Sequence, residues 1–192
     1  MNAYDFDGTI YDGDSGVDFI KYIFFKKPFF MTWHMCKSSI HFAKYKLKKI
    51  TFREMKEALF SFVSSIDNLD KYTKDFAKKH KNKLKEYYKE TRREDDLIIS
   101  ASLDFYLLPL CKEIGIEKVM CTNYDIKNKK FLTENCKGEE KVKRFNLEYG
   151  ENAVIEKAYG DSKADIPLLK RAVKGYLIRG QEVLEYTDSI KF

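Results

Sequence analysis

Short apolar runs alternate with longer periodic segments along most of this chain of 192 residues. The runs have the length and apolar content of buried strands, and they fall at residues 2–6, 96–100, 117–122, 153–159 and 174–178. The segments between them have the apolar periodicity of helices, and they fall at residues 103–114, 139–149 and 165–171. Strands that alternate with helices predict an α/β fold built on a doubly wound parallel sheet.

A second pattern, helical throughout, occupies residues 12–92. Four helices are predicted there, at residues 14–26, 29–48, 52–66 and 69–90. Thr51 and Glu54, three residues apart before an apolar stripe, predict a capping box at the start of the third helix. We therefore predict two domains: a core of residues 1–11 plus 93–192, and an all-helical domain of residues 12–92 inserted into it.

Composition favours a globular protein that lies outside the membrane. Hydrophobic residues make up 44% of the chain and charged residues 34%, which is a globular balance. No apolar run approaches the roughly 18 residues that a membrane-spanning helix needs. Asp5 and Asp7 interrupt the stretch where a signal peptide would have its apolar segment. These features predict a cytoplasmic protein.

The cysteines and histidines give no metal-binding pattern. The four cysteines have no CxxC spacing, and the three histidines lie far apart in a lysine-rich region. We expect reduced, mostly buried thiols and histidines that serve packing or the surface.

Positive charge is concentrated in the predicted insertion. Residues 12–92 carry 19 Lys and Arg against 10 Asp and Glu, whereas the rest of the chain carries 17 against 20. The lysines of residues 44–49 and 71–89 are interpreted as solvated helix faces, because the acidic core offers no matching groove for nucleic acid. No nucleic-acid partner is expected.

Aromatic residues and lysines are mixed between Phe19 and Trp33. Two interpretations are open. The segment could supply the apolar interior of the helical domain with its lysines in solvent, or it could be an interfacial helix that contacts an anionic membrane. We favour the first, because a helical domain needs an apolar interior, and keep peripheral contact with an anionic membrane as the alternative.

The richest candidate chemistry follows the first predicted strand, in the stretch Asp5-Phe6-Asp7-Gly8-Thr9. Two carboxylates flank one aromatic residue, and the glycine allows a sharp turn. Acidic groups brought together at a strand end repel one another unless a cation or a shared proton offsets their charge. The stretch therefore indicates a site for a cation or for acid–base chemistry.

Further polar groups follow later strands or begin helices. Ser100 ends an apolar run, Lys141 lies just inside a predicted helix, and Asp161 and Asp165 follow the run that ends at Gly160. Ligands of open α/β sheets bind at the carboxyl ends of the strands, so these groups are expected near Asp5 and Asp7.

These four segments, in this order, resemble the four motifs of the haloacid dehalogenase superfamily of phosphohydrolases. The resemblance covers almost the whole core and implies a Rossmann-like fold. The helical insertion directly after the first motif resembles the cap of the phosphoserine-phosphatase-like branch. Such a cap closes over the site and excludes water from the first step.

The resemblance implies a phosphomonoesterase that forms an aspartyl-phosphate. Asp5 would attack phosphorus, and Asp7 would protonate the leaving alcohol and then deprotonate the attacking water. Ser100 and Lys141 would hold the phosphate oxygens.

The same resemblance implies Mg²⁺ as cofactor. Its protein ligands would be the Asp5 and Asp161 side chains and the Asp7 carbonyl. Asp165 would lie behind them and orient either Lys141 or a metal-bound water.

Several assignments keep alternatives. Ser102 could replace Ser100, although the family pattern places the hydroxyl at the strand end and so favours Ser100. Lys137 and Lys143 compete with Lys141, which the family spacing after the glycine favours. For Gly8 and Thr9 two interpretations stay open. Their backbone N–H groups could donate to the phosphate, or the two residues could serve only the geometry of the turn.

The substrate is less well defined. Asp14 stands nine positions after Asp5, where phosphoserine phosphatases have an acidic residue that binds the amino group of the substrate. The cap arginine that binds the substrate carboxylate has no counterpart in residues 59–66, and Arg53 is the nearest. This departure disfavours phosphoserine, because the substrate carboxylate would be left unpaired.

Other segments are similar to the phosphatidylglycerophosphatase C-like group. They are Asp14 to Tyr22, Cys136 to Lys141, Gly160 to Lys163 with Asp165 and Pro167 to Leu169, and Arg179-Gly180. The corresponding cap segment of that group is more apolar, whereas Lys26, Lys27 and Pro28 interrupt it in this chain. We therefore predict a small phosphorylated metabolite as the substrate, with a lipid phosphate, or phosphoryl transfer on the same core, as alternatives.

Overall fold

The computed structural model describes residues 1–189 of the chain. Its main sheet contains β1 (Asn2–Tyr4), β2 (Leu97–Leu103), β3 (Lys118–Thr122), β6 (Lys157–Gly160), β7 (Lys174–Arg179) and β8 (Glu182–Glu185). The spatial order is β3-β2-β1-β6-β7-β8, and all neighbours are parallel except β7 and β8. A separate small hairpin joins β4 (Tyr124–Asp125) to β5 (Lys130–Phe131).

Helices fill the connections. Five lie between β1 and β2: α1 (Ser15–Lys26), α2 (Pro28–Lys46), α3 (Phe52–Phe60), α4 (Leu69–His80) and α5 (Glu86–Thr91). The others are α6 (Asp104–Glu113), α7 (Glu139–Tyr149) and α8 (Ile166–Arg171). Within residues 1–189, no helix is both long enough and apolar enough to cross a bilayer.

The predicted fold class is confirmed: a doubly wound, mostly parallel sheet with an all-helical insertion after its first strand. Residues 123–136, which the sequence pattern leaves outside the main strands and helices, contain the β4–β5 hairpin. The capping box is also confirmed, since Thr51 Oγ1 accepts from the Glu54 N–H and the Glu54 carboxylate accepts from the Thr51 N–H. The division into two domains, with bounds at residues 11/12 and 92/93, stays a prediction.

Some predicted bounds are wrong. The strand expected at 153–159 begins only at Lys157, and the short polar edge strand β8 was not predicted. The helix expected at 52–66 ends at Phe60 and continues as a 3₁₀ helix. Ser61 there donates its hydroxyl to the Ala58 carbonyl, a local bond that competes with regular helix geometry.

The helix expected at 69–90 is interrupted between His80 and Glu86. The chain there runs antiparallel to the segment after β1: the Asp12 N–H donates to the Lys83 carbonyl (2.7 Å), and the Lys85 N–H donates to the Ile10 carbonyl (2.8 Å). These bonds require extended backbone, so a tertiary contact ends the helix.

Alternate residues of the strands pack on opposite faces of the sheet. Ala3, Leu97 and Ile99 join a cluster with α7 and α8. Tyr4 and Ile98 join a larger cluster on the other face, which includes α6 and buried residues of the inserted helices. One face of the sheet and the insertion therefore share a hydrophobic core.

The aromatic segment between Phe19 and Trp33 divides between interior and surface. Phe19 is buried in the larger cluster, as the packing interpretation requires. Phe25, Phe29 and Trp33 are 82%, 92% and 65% exposed, so that interpretation is wrong for them. The helices fold with these three rings in solvent.

β1 lies at the point where the strand order reverses, since β2 and β3 lie on one side of it and β6, β7 and β8 on the other. Open α/β sheets bind ligands in the crevice at such a point, beyond the carboxyl ends of the strands. Asp5 follows β1 and Asp161 follows β6, so both carboxylates lie at this crevice.

Candidate active site

The loop after β1 is shaped by a close approach between Gly8 and Asp161. Gly8 has φ +72°, and a Cβ at this position would lie 2.0 Å from Asp161 Oδ2. Its N–H donates to the carbonyls of Tyr11 (3.1 Å) and Gly13 (2.9 Å), which folds the loop back on itself. Only glycine accommodates both the positive φ and the carboxylate.

Of the two interpretations of Gly8 and Thr9, the structure supports turn geometry. The Gly8 N–H is used within the loop, and Thr9 is buried with its carbonyl accepting from the Tyr87 hydroxyl (3.0 Å). Neither residue is among those that line the cavity described below. These contacts favour turn geometry, and contact between their N–H groups and the phosphate stays a prediction.

Lys141 is the centre of a buried charge cluster. Its Nζ donates to Asp5 Oδ1 (2.5 Å) and to Asp165 Oδ1 (2.6 Å), and its side chain is almost completely buried. Burial alone would lower the pKa of Lys141, but the two carboxylates raise it above its ordinary value. The side chain is therefore a permanent ammonium beside Asp5.

Asp5 is a buried carboxylate beside the Lys141 ammonium. Burial raises its pKa to about 8, the ammonium of Lys141 opposes that rise, and Asp165 adds to it. A carboxylate in this position needs more positive charge than Lys141 alone supplies.

Asp161 and Asp165 complete the acidic group. One oxygen each from Asp5, Asp161 and Asp165 lie within 4.8 Å of one another. Desolvation and the Asp165 carboxylate raise the pKa of Asp161 to about 6. Oxygen donors this close, two of which, Asp5 and Asp161, have raised pKa values, fit a hard divalent cation such as Mg²⁺.

Asp165 differs from the other two because both of its oxygens are occupied within the protein. Oδ1 accepts from Lys141, and Oδ2 accepts from the Ser162 N–H (3.1 Å) and hydroxyl (2.8 Å). A Cβ on Gly160 would lie 2.3 Å from the Asp165 Cβ, which explains the glycine before Asp161. These contacts suit Asp165 to positioning Lys141.

Asp7 is partly buried and is held by two donors. Oδ1 accepts from the Ser15 N–H (2.6 Å), and Oδ2 accepts from the Ser102 hydroxyl. Burial raises the pKa of Asp7, although both hydrogen bonds oppose the rise. A raised pKa suits a carboxyl group that must carry and release a proton near neutral pH.

Ser100 and Ser102 both line the cavity but have different partners. The Ser102 hydroxyl donates to Asp7, whereas Ser100 Oγ accepts from the Ser102 N–H (3.1 Å) and keeps its own hydrogen to donate. Ser100 does not end its strand, as sequence reasoning assumed, because β2 continues to Leu103 through a shift in its pairing with β3. Both side chains reach the cavity, as alternate residues of one strand can.

The structure separates the three candidate lysines. Lys141 contacts Asp5, Lys137 lines the cavity with its Nζ 5.4 Å from the ring centroid of Phe52, and Lys143 is exposed and pairs with Glu140 (3.7 Å). Only the first lies next to the carboxylates of the site.

Asp14 caps the first inserted helix and lines the cavity. Its Oδ1 accepts from the Val17 N–H (2.8 Å), which leaves Oδ2 for a ligand. Arg53 points elsewhere: its guanidinium binds Glu57, Glu134 and the Phe131 carbonyl, and so fastens α3 to the hairpin.

Sequence reasoning missed Lys56, the cation that α3 does place in the cavity. Its Nζ donates to the Ala101 carbonyl (2.8 Å) and lies 3.5 Å from Asn135 Oδ1. Burial lowers its pKa to about 8, although Asp7 and Asp14 oppose the change. The sequence did contain a signal for this placement. Lys56 lies one turn after Phe52 and one turn before Phe60, so the three residues share one face of a helix.

A cavity of about 370 Å³ brings these groups together. We call its two sides the core wall and the insertion wall. The core wall is formed by Asp5, Asp7, Ser100, Ser102, Lys141, Asp161 and Asp165. The insertion wall is formed by Val17, Ile20, Phe52, Met55, Lys56, Leu59 and Phe60. The cavity therefore offers charge on one side and a largely apolar surface on the other.

Comparison with known proteins agrees with this geometry. The family model described as haloacid dehalogenase-like hydrolase matches residues 3–170. A search of curated proteins finds no matching sequence.

Solved structures share the fold at low sequence identity. A Bordetella pertussis Tohama I protein with unknown function is 16% identical, with a TM-score of 0.73 over 91% of this chain and 87% of that one. A phosphoserine phosphohydrolase-like protein from Francisella tularensis is 19% identical, with a TM-score of 0.54 over 91% and 86%. A substrate-bound phosphoserine phosphatase is 16% identical, with a TM-score of 0.51 over 90% and 82%.

Proposed function

The chain belongs to the haloacid dehalogenase-like hydrolase family, and we propose that it is a magnesium-dependent phosphomonoesterase that forms an aspartyl-phosphate on Asp5. One observation carries the proposal: Lys141 bridges Asp5 and Asp165 at the crevice where Asp161 also lies. A nucleophile, a fixed cation and a set of oxygen donors for a metal are thus held within one cavity.

In the first proposed step, a carboxylate oxygen of Asp5 attacks phosphorus. The bond between phosphorus and the ester oxygen breaks, and Asp7 gives its proton to the departing alcohol. The Ser102 hydroxyl and the Ser15 N–H hold the Asp7 carboxyl in place during this transfer.

In the second step, the Asp7 carboxylate takes a proton from water as that water attacks the phosphorus of the aspartyl-phosphate. The bond between phosphorus and Asp5 breaks, inorganic phosphate leaves, and both carboxyl groups return to their first state. Asp7 thus serves as acid and then as base, which its raised pKa favours.

The Asp5 and Asp161 carboxylates fit Mg²⁺ and would hold it, and the Asp7 carbonyl would be a third protein ligand. Bound Mg²⁺ would offset the negative charge of the phosphoryl group. Lys141 adds a fixed positive charge, and the free hydrogen of the Ser100 hydroxyl would donate to a phosphate oxygen. Asp165 keeps Lys141 in position.

For the substrate we propose a small phosphorylated metabolite. The phosphate would face the core wall, and the rest of the molecule would meet Lys56 on the insertion wall and Asp14, which also lines the cavity. Lys56, charged below about pH 8, favours a substrate with a second anionic group.

A lipid phosphate is the second candidate, because most of the insertion wall is apolar. Phe52, Met55 and Leu59 would contact an acyl or prenyl chain more favourably than a small polar metabolite.

The test is phosphate release from a substrate panel with and without Mg²⁺, comparing the wild type with Asp5→Asn. The panel contains para-nitrophenyl phosphate, phosphoserine, sugar phosphates, nucleotides and phosphatidylglycerophosphate. We expect Mg²⁺-dependent release that Asp5→Asn abolishes and that Asp95→Asn, at a partly exposed aspartate outside the cavity, preserves.

The preferred panel member decides between the metabolite and the lipid phosphate. Equal release by the wild type and Asp5→Asn would contradict the assignment of the nucleophile. Release from no panel member by a folded, Mg²⁺-binding protein would contradict the phosphatase proposal.

A further inference from the structure

The outer face of α2 carries an apolar stripe in solvent. Phe29, Trp33, Cys36, Ile40, Ala43 and Leu47 follow one another at spacings of four, three, four, three and four residues. This spacing places them on one face of a helix. All six are exposed, and Phe25, just before α2, extends the patch. We call these seven residues the outer stripe.

The inner face of the same helix is more polar than the outer one. Met31 is buried there, but His34 and Ser38 lie one and two turns later. The His34 ring bonds to the Leu59 carbonyl (2.8 Å) and to the Ser38 hydroxyl (3.0 Å). A helix on a globular protein normally turns its apolar stripe inward. In α2 the polarity is reversed, so packing within this chain does not account for the outer stripe.

The charge around the outer stripe has one sign. Residues 19–53 contain nine Lys and Arg and no Asp or Glu. Lys37 lies over the ring of Trp33, 4.8 Å from its centroid. Lys44 and Lys48 are exposed near Ile40 and Leu47, and within residues 1–189 no ion pair engages these three lysines.

We propose that the outer stripe docks the protein on an anionic lipid surface, with the rings and aliphatic side chains in the acyl boundary and the lysines against the headgroups. A helix that presents apolar and aromatic side chains flanked by lysines has the composition of an interfacial anchor. Clusters of lysine near the surface add attraction to anionic lipids. The inference goes beyond the proposed catalytic activity and does not depend on it.

A second copy of the chain is a less suitable occupant. The four-three spacing of the outer stripe would suit a helix pair, but two such faces would bring together lysines with no carboxylates to offset them. Anionic headgroups supply the missing negative charge, so charge complementarity selects the lipid surface.

Trp33 is the sole tryptophan of the chain and lies in the outer stripe, so the native protein carries its own probe. The experiment measures Trp33 fluorescence and co-sedimentation of the full chain with vesicles. One vesicle set is phosphatidylcholine alone, and the other contains phosphatidylglycerol as well. We expect a blue shift and sedimentation only with phosphatidylglycerol, and release at high salt because screening shortens the range of the attraction.

Matched variants separate the apolar and the charge contributions. Phe29→Ser with Ile40→Ser should weaken vesicle binding at least about tenfold, because two inserted apolar side chains are lost. Leu132→Ser with Leu147→Ser, which changes exposed apolar residues elsewhere, should bind like the wild type.

Lys37→Gln, Lys44→Gln and Lys48→Gln combined should also weaken binding at least about tenfold. The control changes three exposed lysines outside the insertion, Lys118, Lys127 and Lys157, to Gln and so alters the net charge equally. Asp5→Asn should bind vesicles like the wild type, which separates docking from occupation of the active site.

Three results would overturn the proposal. The first is a wild-type Trp33 spectrum that does not respond to phosphatidylglycerol. The second is equal loss of binding in the control variants, which would indicate nonspecific attraction. The third is a blue shift that depends on protein concentration without lipid and accompanies dimer formation, which would assign the outer stripe to a second copy. Circular dichroism of each variant excludes unfolding as the cause of lost binding.

Discussion

The two walls of the cavity are built on different principles. On the core wall most charged groups are held by a specific partner: Lys141 lies between Asp5 and Asp165, and the Ser102 hydroxyl holds Asp7. On the insertion wall the surface is mostly apolar, and its one cation, Lys56, bonds to a backbone carbonyl instead of a carboxylate.

Under the proposed function, the core wall would carry out the reaction and the insertion wall would select the substrate. Phosphoryl transfer needs charges at fixed positions, and mutual pairing fixes them before a substrate arrives. Choice of substrate needs a surface that matches one molecule better than another, and apolar side chains on an inserted domain supply that without changing the reacting groups. Substitutions on the core wall should therefore cost more, in stability and in rate, than those on the insertion wall.

Lys141→Ala tests the core wall and should have the largest effect. Removing the ammonium leaves Asp5 and Asp165 buried without their partner, which should destabilise the protein by about 3–5 kcal/mol at pH 7 and abolish phosphate release. Chemical denaturation in the absence of metal measures the stability. Lys143→Ala, at an exposed lysine of the same helix, is the control and should change stability by less than about 0.5 kcal/mol.

The loss of stability caused by Lys141→Ala should depend on pH in a defined direction. Without the ammonium the pKa of Asp5 in the folded state, which burial already raises, rises further above its unfolded value. Such a group stabilises the folded state below its unfolded pKa, near 4, and that stabilisation is lost as pH rises through the folded pKa. The deficit of the variant should therefore shrink toward pH 4. A deficit that does not change between pH 4 and pH 7 would contradict the buried-charge explanation.

Gly8→Ala tests how closely the loop fits the acidic group, with a smaller effect. The new Cβ would lie 2.0 Å from Asp161 Oδ2, so the carboxylate must move. We expect the Mg²⁺ concentration for half-maximal activity to rise about 10- to 100-fold, the usual range when a group that positions a metal ligand is lost.

Gly180→Ala provides the matched control for Gly8→Ala. Gly180 also has a positive φ, +60°, but a Cβ there meets no atom within 4 Å in the described structure. It should show the backbone strain of about 1 kcal/mol with an unchanged Mg²⁺ requirement. Equal Mg²⁺ requirements in the two variants would show that strain, and not displacement of Asp161, causes the effect.

The core wall was largely predictable from sequence because its residues follow from local rules. Asp5, Lys141 and Asp161 each lie directly after a strand or at the start of a helix. Strand ends on one sheet edge meet in space, so sequence order and spacing were enough to bring these residues together.

The insertion wall was less predictable because its arrangement depends on packing between distant segments. Periodicity identifies a stripe on α2 but does not say which side faces the interior, and the structure turns the more polar side inward. Likewise, the bond from Ser102 to Asp7 joins β2 to the loop after β1, and the pattern within either segment does not reveal it.

Lys56→Met tests the insertion wall and should have the smallest effect. Unlike Lys141→Ala, it should stabilise the protein. The pKa of Lys56 is about 8 in the folded protein, below the ordinary lysine value of about 10.4 in the unfolded chain. The folded state therefore binds fewer protons than the unfolded state between these values, so wild-type stability increases as pH rises from 8 to 10. At pH 7 the charged, desolvated ammonium is a cost that Met removes.

Since the bond to the Ala101 carbonyl is also lost, we expect a net gain of about 1 kcal/mol at pH 7 that shrinks by pH 10. Lys71→Met, at an exposed lysine of α4, should change stability by less than about 0.5 kcal/mol at either pH. For a substrate with a second anionic group, the wild-type KM should rise as pH increases through 8, and Lys56→Met should lack that rise. A variant that is less stable at pH 7 and keeps the pH dependence of KM would show that Lys56 supports the fold and does not bind the substrate. The insertion wall would then select substrates by apolar contact alone.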